Sequence, residues 1–427
     1  MLDIEQSVKV HFKLSKNDLN VNSFVNLCNE TGKNLSRSLF VSLLKKVQET
    51  LLTMYLGAPW NKSPGAITPW ECPGCAARAG FKRRGNRPRK LKTSIGLVSF
   101  PLHQVTCNDC GKTFSPFPEL FGIEKRHRLT RELEQKFCHI AKDLSYGKTA
   151  KLVNKVFDLD VSPRTVHSSV QKYGTRAKII EDSSHISHLQ ADSTKINASA
   201  SERGIDVHLA ISIGPSEHKN GRTFRNKTLA SVQVSETPAD VKKLLRESQV
   251  DQLTVDGKSG LEGFIENEKI PTTIQRCLWH IPRTAAHMMY LDGHSIVFGR
   301  KFVSPLKDLL FDESLSVNTR LEKYNNFIEK CRVAGCERTA NFLDNAANDL
   351  YTYKQFADTD VHGRTNSIVE RQMREINRRM ENGSRWSDLG ANNLLKLKLI
   401  DEMNPDSYAY LWKLTKNKIK YFKVVLC

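Results

Sequence analysis

The order of strands and helices between His185 and Cys277 is the feature that most constrains the fold. Period-two alternation and short apolar runs predict strands, and period 3.6 predicts helices. In chain order we predict strands at 186–196, 206–213 and 223–234, a helix at 238–247, a strand at 252–256, a helix at 261–267 and a strand at 272–277. The order β-β-β-α-β-α-β predicts a mixed sheet rather than a purely parallel one. Residues from about 282 to 358 then show helical patterning without strand alternation.

Three acids at defined points of this order are candidate metal ligands. Asp192 lies inside the first strand, Asp256 ends the fourth strand, and Glu370 lies on a later helix. Hard cations such as Mg²⁺ prefer carboxylate oxygens, and Mg²⁺ keeps several waters, so three acids suffice for two ions. A structural aspartate remains the alternative for Asp192, and Asp256-Gly257 alone is also an ordinary turn dipeptide. The joint order of the three acids is what indicates a catalytic site.

The helix around Glu370 is otherwise cationic on the face that Glu370 heads. Arg374 and Arg378 follow at i+4 and i+8, and Arg371 is the next residue. One acid on a basic face indicates that the acid binds a divalent metal while the neighbouring arginines bind a phosphate backbone. We therefore expect Arg371, Arg374 and Arg378 to contact DNA.

Charge and hydropathy narrow the class of protein. The formal net charge of +19 predicts a polyanionic partner, because each phosphate that Lys or Arg neutralises releases counterions. A charge that serves only solubility is the alternative. No run of about 18 apolar residues occurs and Met1–Gln6 lacks the layout of a signal peptide, so we expect a cytoplasmic protein without a membrane span. DNA would then hold it at the nucleoid.

Two C-x-x-C pairs predict a structural zinc site. Each short loop lets both of its sulfurs reach one tetrahedral ion, and the ligands are Cys72, Cys75, Cys107 and Cys110. A redox pair at either position is the alternative. Strand patterning fills the residues before the second pair. The residues between the two cysteine pairs also include eight cations and no acid, which favours contact with DNA phosphates. They are Arg78, Lys82, Arg83, Arg84, Arg87, Arg89, Lys90 and Lys92, with Arg83, Arg84 and Arg87 as the leading candidates.

Helical patterning lies on both sides of this zinc ribbon. An amphipathic helix over 34–57, ended by Gly57 and Pro59, could mediate self-association or pack on its own domain. After the ribbon, Thr130 caps one helix, a second spans 149–157, and Ser162 and Pro163 begin a third that runs to Tyr173. This order is typical of a helix-turn-helix, although any small helical hairpin could share it. The candidate groove-facing residues are Arg164, Thr165, His167, Ser168 and Gln171.

Two motifs resemble those of a known family. The run Arg364-Thr365-Asn366-Ser367-Ile368-Val369-Glu370-Arg371, followed by Arg378-Arg379, resembles the glutamate motif of Mutator-like DDE transposases of prokaryotic insertion sequences. Cys277-Leu278-Trp279-His280 resembles their C-x-x-H motif. Cys277 and His280 alone are too few for a second zinc site. A contact with DNA beside the active site and simple packing both remain open for them.

The resemblance implies a multidomain α/β protein with a ribonuclease-H-like catalytic core. It implies catalysis by Asp192, Asp256 and Glu370 with Mg²⁺ or Mn²⁺, DNA partners (element terminal repeats and target DNA), and a homo-oligomer assembled on DNA. The domains that we predict are an N-terminal helical region at 1–65, the zinc ribbon at 66–118, the helix-turn-helix at 119–178, the core at 183–283, a helical insertion at 284–360 and C-terminal helices completing the core at 361–427.

Two other functions remain open at this point. A DNA-binding regulator derived from a transposase could have the same domains with an inert core, although it would have had no reason to keep all three acids. A nuclease that cuts DNA without joining it would have the same site. The sequence therefore predicts a metal-dependent DNA transposase, with these two alternatives.

Overall fold

The computed structural model describes residues 21–57, 66–179, 184–257, 260–356, 360–381 and 384–412. The chain divides into two compact units. The first unit comprises the residues up to Ala141 together with Ser145–Ser169, and the second comprises Lys142–Leu144 and the residues from Val170 onward. Predictions for residues 1–20 and 413–427, and for Pro59, fall outside the described residues. No helix within the described ranges combines the length and apolar character that a membrane span needs.

The first unit begins with a long helix and a small antiparallel sheet. Its elements are α1 (Val21–Leu56), β1 (Phe81–Thr93), β2 (Gly96–Cys107), β3 (Thr113–Phe114) and the short α2 (Phe117–Leu120), and the strand order is β1-β2-β3. The helix starts earlier than the predicted Asn34. Its buried Leu52 packs with the apolar side chains of the hairpin. Gln48 adds polar contacts, donating to the Pro101 carbonyl at 3.0 Å and accepting from the His103 N–H at 2.9 Å. The helix therefore packs on its own unit.

Three helices follow; the first and third start where the cap residues predict, and the second starts three residues before the predicted Thr149, with Ser145 as its cap. They are α3 (Arg131–Ala141), α4 (Tyr146–Phe157) and α5 (Pro163–Arg176), of which Pro163–Ser169 belongs to the first unit. Ser162 accepts from the Thr165 N–H at 3.2 Å and so caps α5. Asn154 fixes the turn before α5, because its side chain bonds both the N–H and the carbonyl of Val161. The third helix runs three residues past the predicted Tyr173.

The second unit is built on a five-stranded mixed sheet. Its elements in chain order are β4 (His185–Ile196), β5 (Ile205–Lys219), β6 (Arg222–Val234), α6 (Ala239–Glu247), β7 (Gln249–Val255), α7 (Leu261–Glu268) and β8 (Thr273–Arg276). The strand order is β6-β5-β4-β7-β8, with β4, β7 and β8 parallel and the β4-β5 and β5-β6 pairs antiparallel. The predicted β-β-β-α-β-α-β order and the mixed sheet are both confirmed.

Alternation along the central strands gives the sheet two different faces. Leu189 and Leu253 join the apolar cluster that packs against α6 and α7. His188, Gln190 and Thr254 point to the other face and are buried as well. A buried polar row of this kind needs hydrogen-bond partners. These partners come from a segment much later in the chain.

Helices make up the rest of the second unit, as the patterning predicts. They are α8 (His280–Leu291), α9 (Ile296–Phe311), α10 (Val317–Val333), α11 (Glu337–Ala346), α12 (Ser367–Met380), α13 (Asp388–Met403) and α14 (Pro405–Leu411), with 3₁₀ turns at Ala347–Asp349 and Thr352–Gln355. Helices α8 to α11 share one apolar core. Helix α12 packs on β4 and α13 packs on β6. At the end of α13, Asn404 bonds both backbone groups of Leu229, which ties this helix to the outer strand β6.

Candidate active site

Asp192 and Asp256 lie beside each other just past the point where the pairing of the parallel strands β4 and β7 ends; Asp192 is still inside β4, and Asp256 directly follows β7. The last paired residues of β4 and β7 are Gln190 and Thr254. Asp192 comes two positions after Gln190, and Asp256 comes two positions after Thr254. Because side chains alternate along a strand, both aspartates point to the polar face of the sheet. A strand aims a side chain rigidly, and small misplacements of a catalytic group reduce rate heavily. The register thus brings together two acids that are 64 positions apart in the sequence.

Helix α12 carries the third acid, Glu370, over the same face. Its apolar residues Val369, Met373, Ile376 and Met380 recur at helical spacing and are all buried. The amide of Glu370 donates to the Asn366 carbonyl at 3.0 Å, so the acid lies in the first turn of the helix. A carboxylate in the first turn also faces the positive end of the helix dipole.

The buried polar row on β4 and β7 holds the segment that leads into α12. Gln190 donates to the Thr365 carbonyl at 3.0 Å, and Gln252 donates to the Gly363 carbonyl at 2.7 Å. His188 contacts the Val361 carbonyl through Nδ1 at 2.8 Å. These bonds satisfy backbone groups that have no partner strand. They also position Glu370 relative to the two strands, which no local sequence pattern indicates.

His188 is neutral in this arrangement. It is fully buried, and burial lowers the pKa of its imidazole to about 4. Because Nδ1 faces a carbonyl, it carries the proton and donates. Nε2 is then the acceptor for the Thr254 hydroxyl, which lies at 2.9 Å. The ring therefore links β4, β7 and the Val361 backbone without carrying charge.

Asn366 connects Asp192 to Cys277 through its side-chain amide. This residue is completely buried, and its Nδ2 donates to Asp192 Oδ2 at 3.4 Å. Its Oδ1 accepts from the thiol of Cys277 at 3.0 Å, and its backbone N–H lies 3.5 Å from the same sulfur. The Asn366 side chain therefore has a fixed orientation, because its oxygen faces a donor and its nitrogen faces an acceptor.

Cys277, His280 and Glu370 form a compact group of ligand atoms within 4.8 Å of one another that could hold a metal ion. His280 Nδ1 lies 3.6 Å from Glu370 Oε1. Burial raises the pKa of the Cys277 thiol to about 11, so the sulfur is protonated near neutral pH. In that state it serves as a donor to Asn366 rather than as a thiolate ligand. Cys277 is thus buried next to the glutamate, whereas His280 lies against the glutamate and lines the same cleft as Glu370.

The three acids line one cleft of about 1230 Å³. Among the described residues they do not form so compact a group as the Cys277 trio. Cations from the helical region line the same cleft, and they are Arg283, Arg300, Lys307 and Arg374. The first three were missed by sequence reasoning, because isolated cations on helices α8 and α9 resemble any solvated face. Of the predicted arginines, Arg371 is exposed and Arg378 pairs with Glu375.

The four predicted zinc ligands come together in the first unit. Cys72 and Cys110 have their sulfurs 3.5 Å apart, and Cys75 and Cys107 have theirs 3.6 Å apart. Sulfurs on a tetrahedron of about 2.3 Å radius lie roughly 3.8 Å apart, so the group fits a zinc ion. The four sulfurs all lie within 4.8 Å of one another. The cysteine group could therefore bind zinc.

The cations between the two cysteine pairs divide into two sets. Arg84 and Arg87 are exposed on β1. Arg83 is half-buried, and its guanidinium donates to the Gly57 carbonyl at 2.7 Å and to the Thr53 hydroxyl at 3.1 Å. Arg83 therefore fastens β1 to the end of α1 and does not project freely as Arg84 and Arg87 do.

The predicted recognition residues on α5 also differ in their surroundings. Arg164, His167 and Ser168 are exposed, and Thr165 shares a hydrogen bond with Ser162. Gln171 is different, because its amide accepts from Asn393 at 2.8 Å and donates to the Gly390 carbonyl at 3.4 Å. This pairing with α13 turns the side chain inward. Gln171 therefore does not belong to the proposed reading surface.

The fold and the cleft together define an α/β protein with carboxylates on two adjacent parallel strands and on a helix, and with cations around them. The chain belongs to the Mutator family of transposases. The model of that family, described as "Transposase, Mutator family", matches residues 42–402. No curated protein matches the chain. Membership implies an enzyme that processes nucleic acid and binds DNA, which agrees with the net charge.

Proposed function

We propose that the chain is a DDE transposase that cleaves the ends of a mobile element and joins them to target DNA. The observation that carries the proposal is the register that sets Asp192 beside Asp256, with Glu370 lining the same cleft. The strand order, with Asp192 on the central strand β4 and Asp256 directly after its neighbour β7, supports a ribonuclease-H-like core. The four cations around the cleft support a phosphate backbone as the substrate.

Asp192, Asp256 and Glu370 would hold Mg²⁺ or Mn²⁺. Their donor atoms are carboxylate oxygens, which suit hard cations. Such ions supply nucleophile activation and charge neutralisation in phosphoryl chemistry when they are bound. The compact trio with Cys277 offers a soft sulfur and suits these ions less well. We therefore assign the divalent metal to the three acids and a supporting role to Cys277.

The chain's own groups act on the substrate by position and charge. Arg283, Arg300 and Arg374 line the cleft and would bind the phosphates that flank the scissile bond. Asn366 fixes one oxygen of Asp192, and His280 lies against Glu370. No serine or tyrosine nucleophile is needed, so no covalent protein–DNA intermediate is expected.

The first unit would bind DNA ahead of catalysis. The cysteine group with zinc would fold the ribbon, and Arg84 and Arg87 would contact phosphates. Helices α3 to α5 would act as a helix-turn-helix, with Arg164 and Thr165 reading bases. We further propose that the protein is cytoplasmic, associates with the nucleoid through DNA, and forms a homo-oligomer on the element ends.

The decisive experiment incubates the purified protein with element-end DNA, a plasmid target and Mg²⁺. The substitutions Asp192→Asn, Asp256→Asn and Glu370→Gln should each abolish cleavage and joining while DNA binding stays near wild type. Asp251→Asn, at the other end of β7, is the matched control and should remain active. Full joining by Asp192→Asn would exclude the mechanism. Cleavage without joining would favour a nuclease, and wild-type protein that only binds DNA would favour a regulator.

A further inference from the structure

Trp279 exposes an indole ring next to the proposed active site. It directly precedes His280, and 51% of the residue is exposed. The other tryptophans in the described ranges, Trp70, Trp386 and Trp412, are all buried. Leaving about half of a large aromatic residue in water forfeits a corresponding share of the free energy that its burial would provide. A ring left exposed beside a site is therefore a candidate for ligand contact.

The ring lies at the edge of a groove of about 860 Å³. Phe311 meets it edge to face with the ring centroids 6.0 Å apart, and Lys307 Nζ lies 4.6 Å from its centre. Lys323 and Lys330 line the groove as well. This volume is in the range of small-ligand pockets. The surface combines aromatic rings with cations, the two components of a single-strand binding site.

Two acids also line the groove and bear on its ligand. Asp312 accepts hydrogen bonds from the N–H and hydroxyl of Ser314, and these lower the pKa of its carboxyl. Asp308 is exposed. With three lysines against two acids, the lining keeps a positive balance of one. The lysines favour a phosphate chain over an apolar peptide.

Lys307 connects this groove to the active-site cleft, since it lines both. A DNA strand that leaves the cleft past His280 would meet Trp279 next. Where a protein opens a duplex, unpaired bases become accessible, and every base has a face that can stack on an aromatic ring.

We infer that the Trp279 groove binds unpaired nucleotides of the DNA strand by stacking a base on Trp279, with Lys307 holding the adjoining phosphate. The inference rests on the proposed function, because it takes DNA in the neighbouring cleft as given. It adds a binding site for single-stranded DNA that the three acids do not require.

The test compares two 15-nucleotide strands bound by the full-length protein. One is oligo(dT), and the other has the same backbone with abasic sites throughout. Loss of one stacked base should weaken binding about 5- to 150-fold. Trp279→Ala should remove most of that preference, and Trp279→Phe should keep part of it because a ring remains. Phe224→Ala removes an equally exposed aromatic residue, at 52%, and should keep the wild-type preference.

Lys307→Ala separates the phosphate contact from the stacking contact. It should weaken binding of both strands alike and lower the salt dependence by about 0.7 per lost phosphate contact. The preference for bases should persist in this variant.

An unchanged preference in Trp279→Ala overturns the inference and leaves the groove as a surface for a protein partner. This binding test needs no metal and no cleavage. If the protein stacks bases but never cleaves DNA, the proposed chemistry fails while the groove stands. If it cleaves DNA without the Trp279-dependent preference, only the groove fails.

Discussion

Asn366 donates its side-chain amide to Asp192 and so joins the first aspartate of the site to the helix that carries the glutamate. The same residue's carbonyl oxygen receives the N–H of Glu370. One buried residue thereby sets the position of two of the three proposed metal ligands. The Cys277 thiol fixes the other end of the Asn366 amide and prevents it from flipping.

The first prediction follows from this link. Asn366→Ala should raise the Mg²⁺ concentration needed for half-maximal cleavage by about 10- to 100-fold, because outer-shell partners orient metal ligands. DNA affinity measured without metal should stay near wild type. Ser367→Ala alters the exposed neighbour and serves as the control. If Asn366→Ala lowers the maximal rate but leaves the Mg²⁺ dependence unchanged, Asn366 does not orient Asp192.

A second prediction concerns the cysteine group. Purified protein should contain one zinc per chain by elemental analysis, and Cys75→Ser should lose it. The ribbon should unfold on chelation, since structural zinc supplies about 10–16 kcal/mol of apparent binding free energy in small domains. Cys28→Ser removes an exposed cysteine on α1 and should keep the metal. Full zinc content in Cys75→Ser would contradict the ligand assignment.

The third prediction separates two neighbouring arginines on β1. Arg84→Ala should weaken binding to all DNA sequences and lower the slope of log K against log salt by about 1. Thermal stability should not change, because the side chain is exposed. Arg83→Ala should instead destabilise the first unit by about 1–3 kcal/mol, since it strips a charged donor from the Gly57 carbonyl. Equal effects of both substitutions on the salt slope would contradict this division.

The fourth prediction concerns sequence reading by α5. Arg164→Ala should relax base preference at one position of the recognised site, with a loss of about 1–3 kcal/mol of discrimination. The slope of log K against log salt should stay unchanged, whereas Arg84→Ala lowers it. Gln171→Ala should leave base preference unchanged, because Gln171 is paired with Asn393. Selection of bound sequences from a random pool measures both outcomes. A changed preference in Gln171→Ala would place that side chain back on the reading surface.

The last prediction uses the buried imidazole of His188. Its pKa is about 4 when folded and roughly 6.5 in an unfolded chain. Between these values only the unfolded chain binds the proton, so the free energy of unfolding should fall as pH drops from about 6.5 to 4. The loss should be about 1.4 kcal/mol per pH unit and about 3 kcal/mol in all.

Urea unfolding at several pH values measures this fall in the free energy of unfolding. The measurement compares the wild-type protein with two histidine variants. His188→Gln should be less stable at pH 7 but should lack that part of the acid sensitivity. His185→Gln removes a half-exposed imidazole from the same strand and serves as the comparison variant. An acid sensitivity unchanged in His188→Gln would show that other groups account for it.

Local patterns in the sequence were enough to predict most elements. Alternation and runs with few breakers predicted β4 to β6, cap residues predicted the starts of α3 and α5, and paired cysteines predicted the group that could bind zinc. These signals depend on residues within one turn or strand, so a single sequence contains them. The predicted start of α1 was late, although Val21, Phe24, Val25 and Cys28 also recur at helical spacing; that signal lay in the sequence and the prediction missed it.

The sequence by itself determined which residue types the protein has for its chemistry. It contains three acids in a fixed order, four thiols at metal-binding spacing and an excess of cations. Only the tertiary structure decided which of them meet. Asp192 and Asp256 become neighbours through strand register, and Glu370 joins them because buried His188, Gln190 and Gln252 hold residues 361–365 by their carbonyls. Hydrogen bonds between side chains and backbone groups far apart in the chain produce no periodic pattern in the sequence. For the same reason, Arg83 and Gln171 matched a DNA-binding pattern while their partners lay elsewhere in the fold.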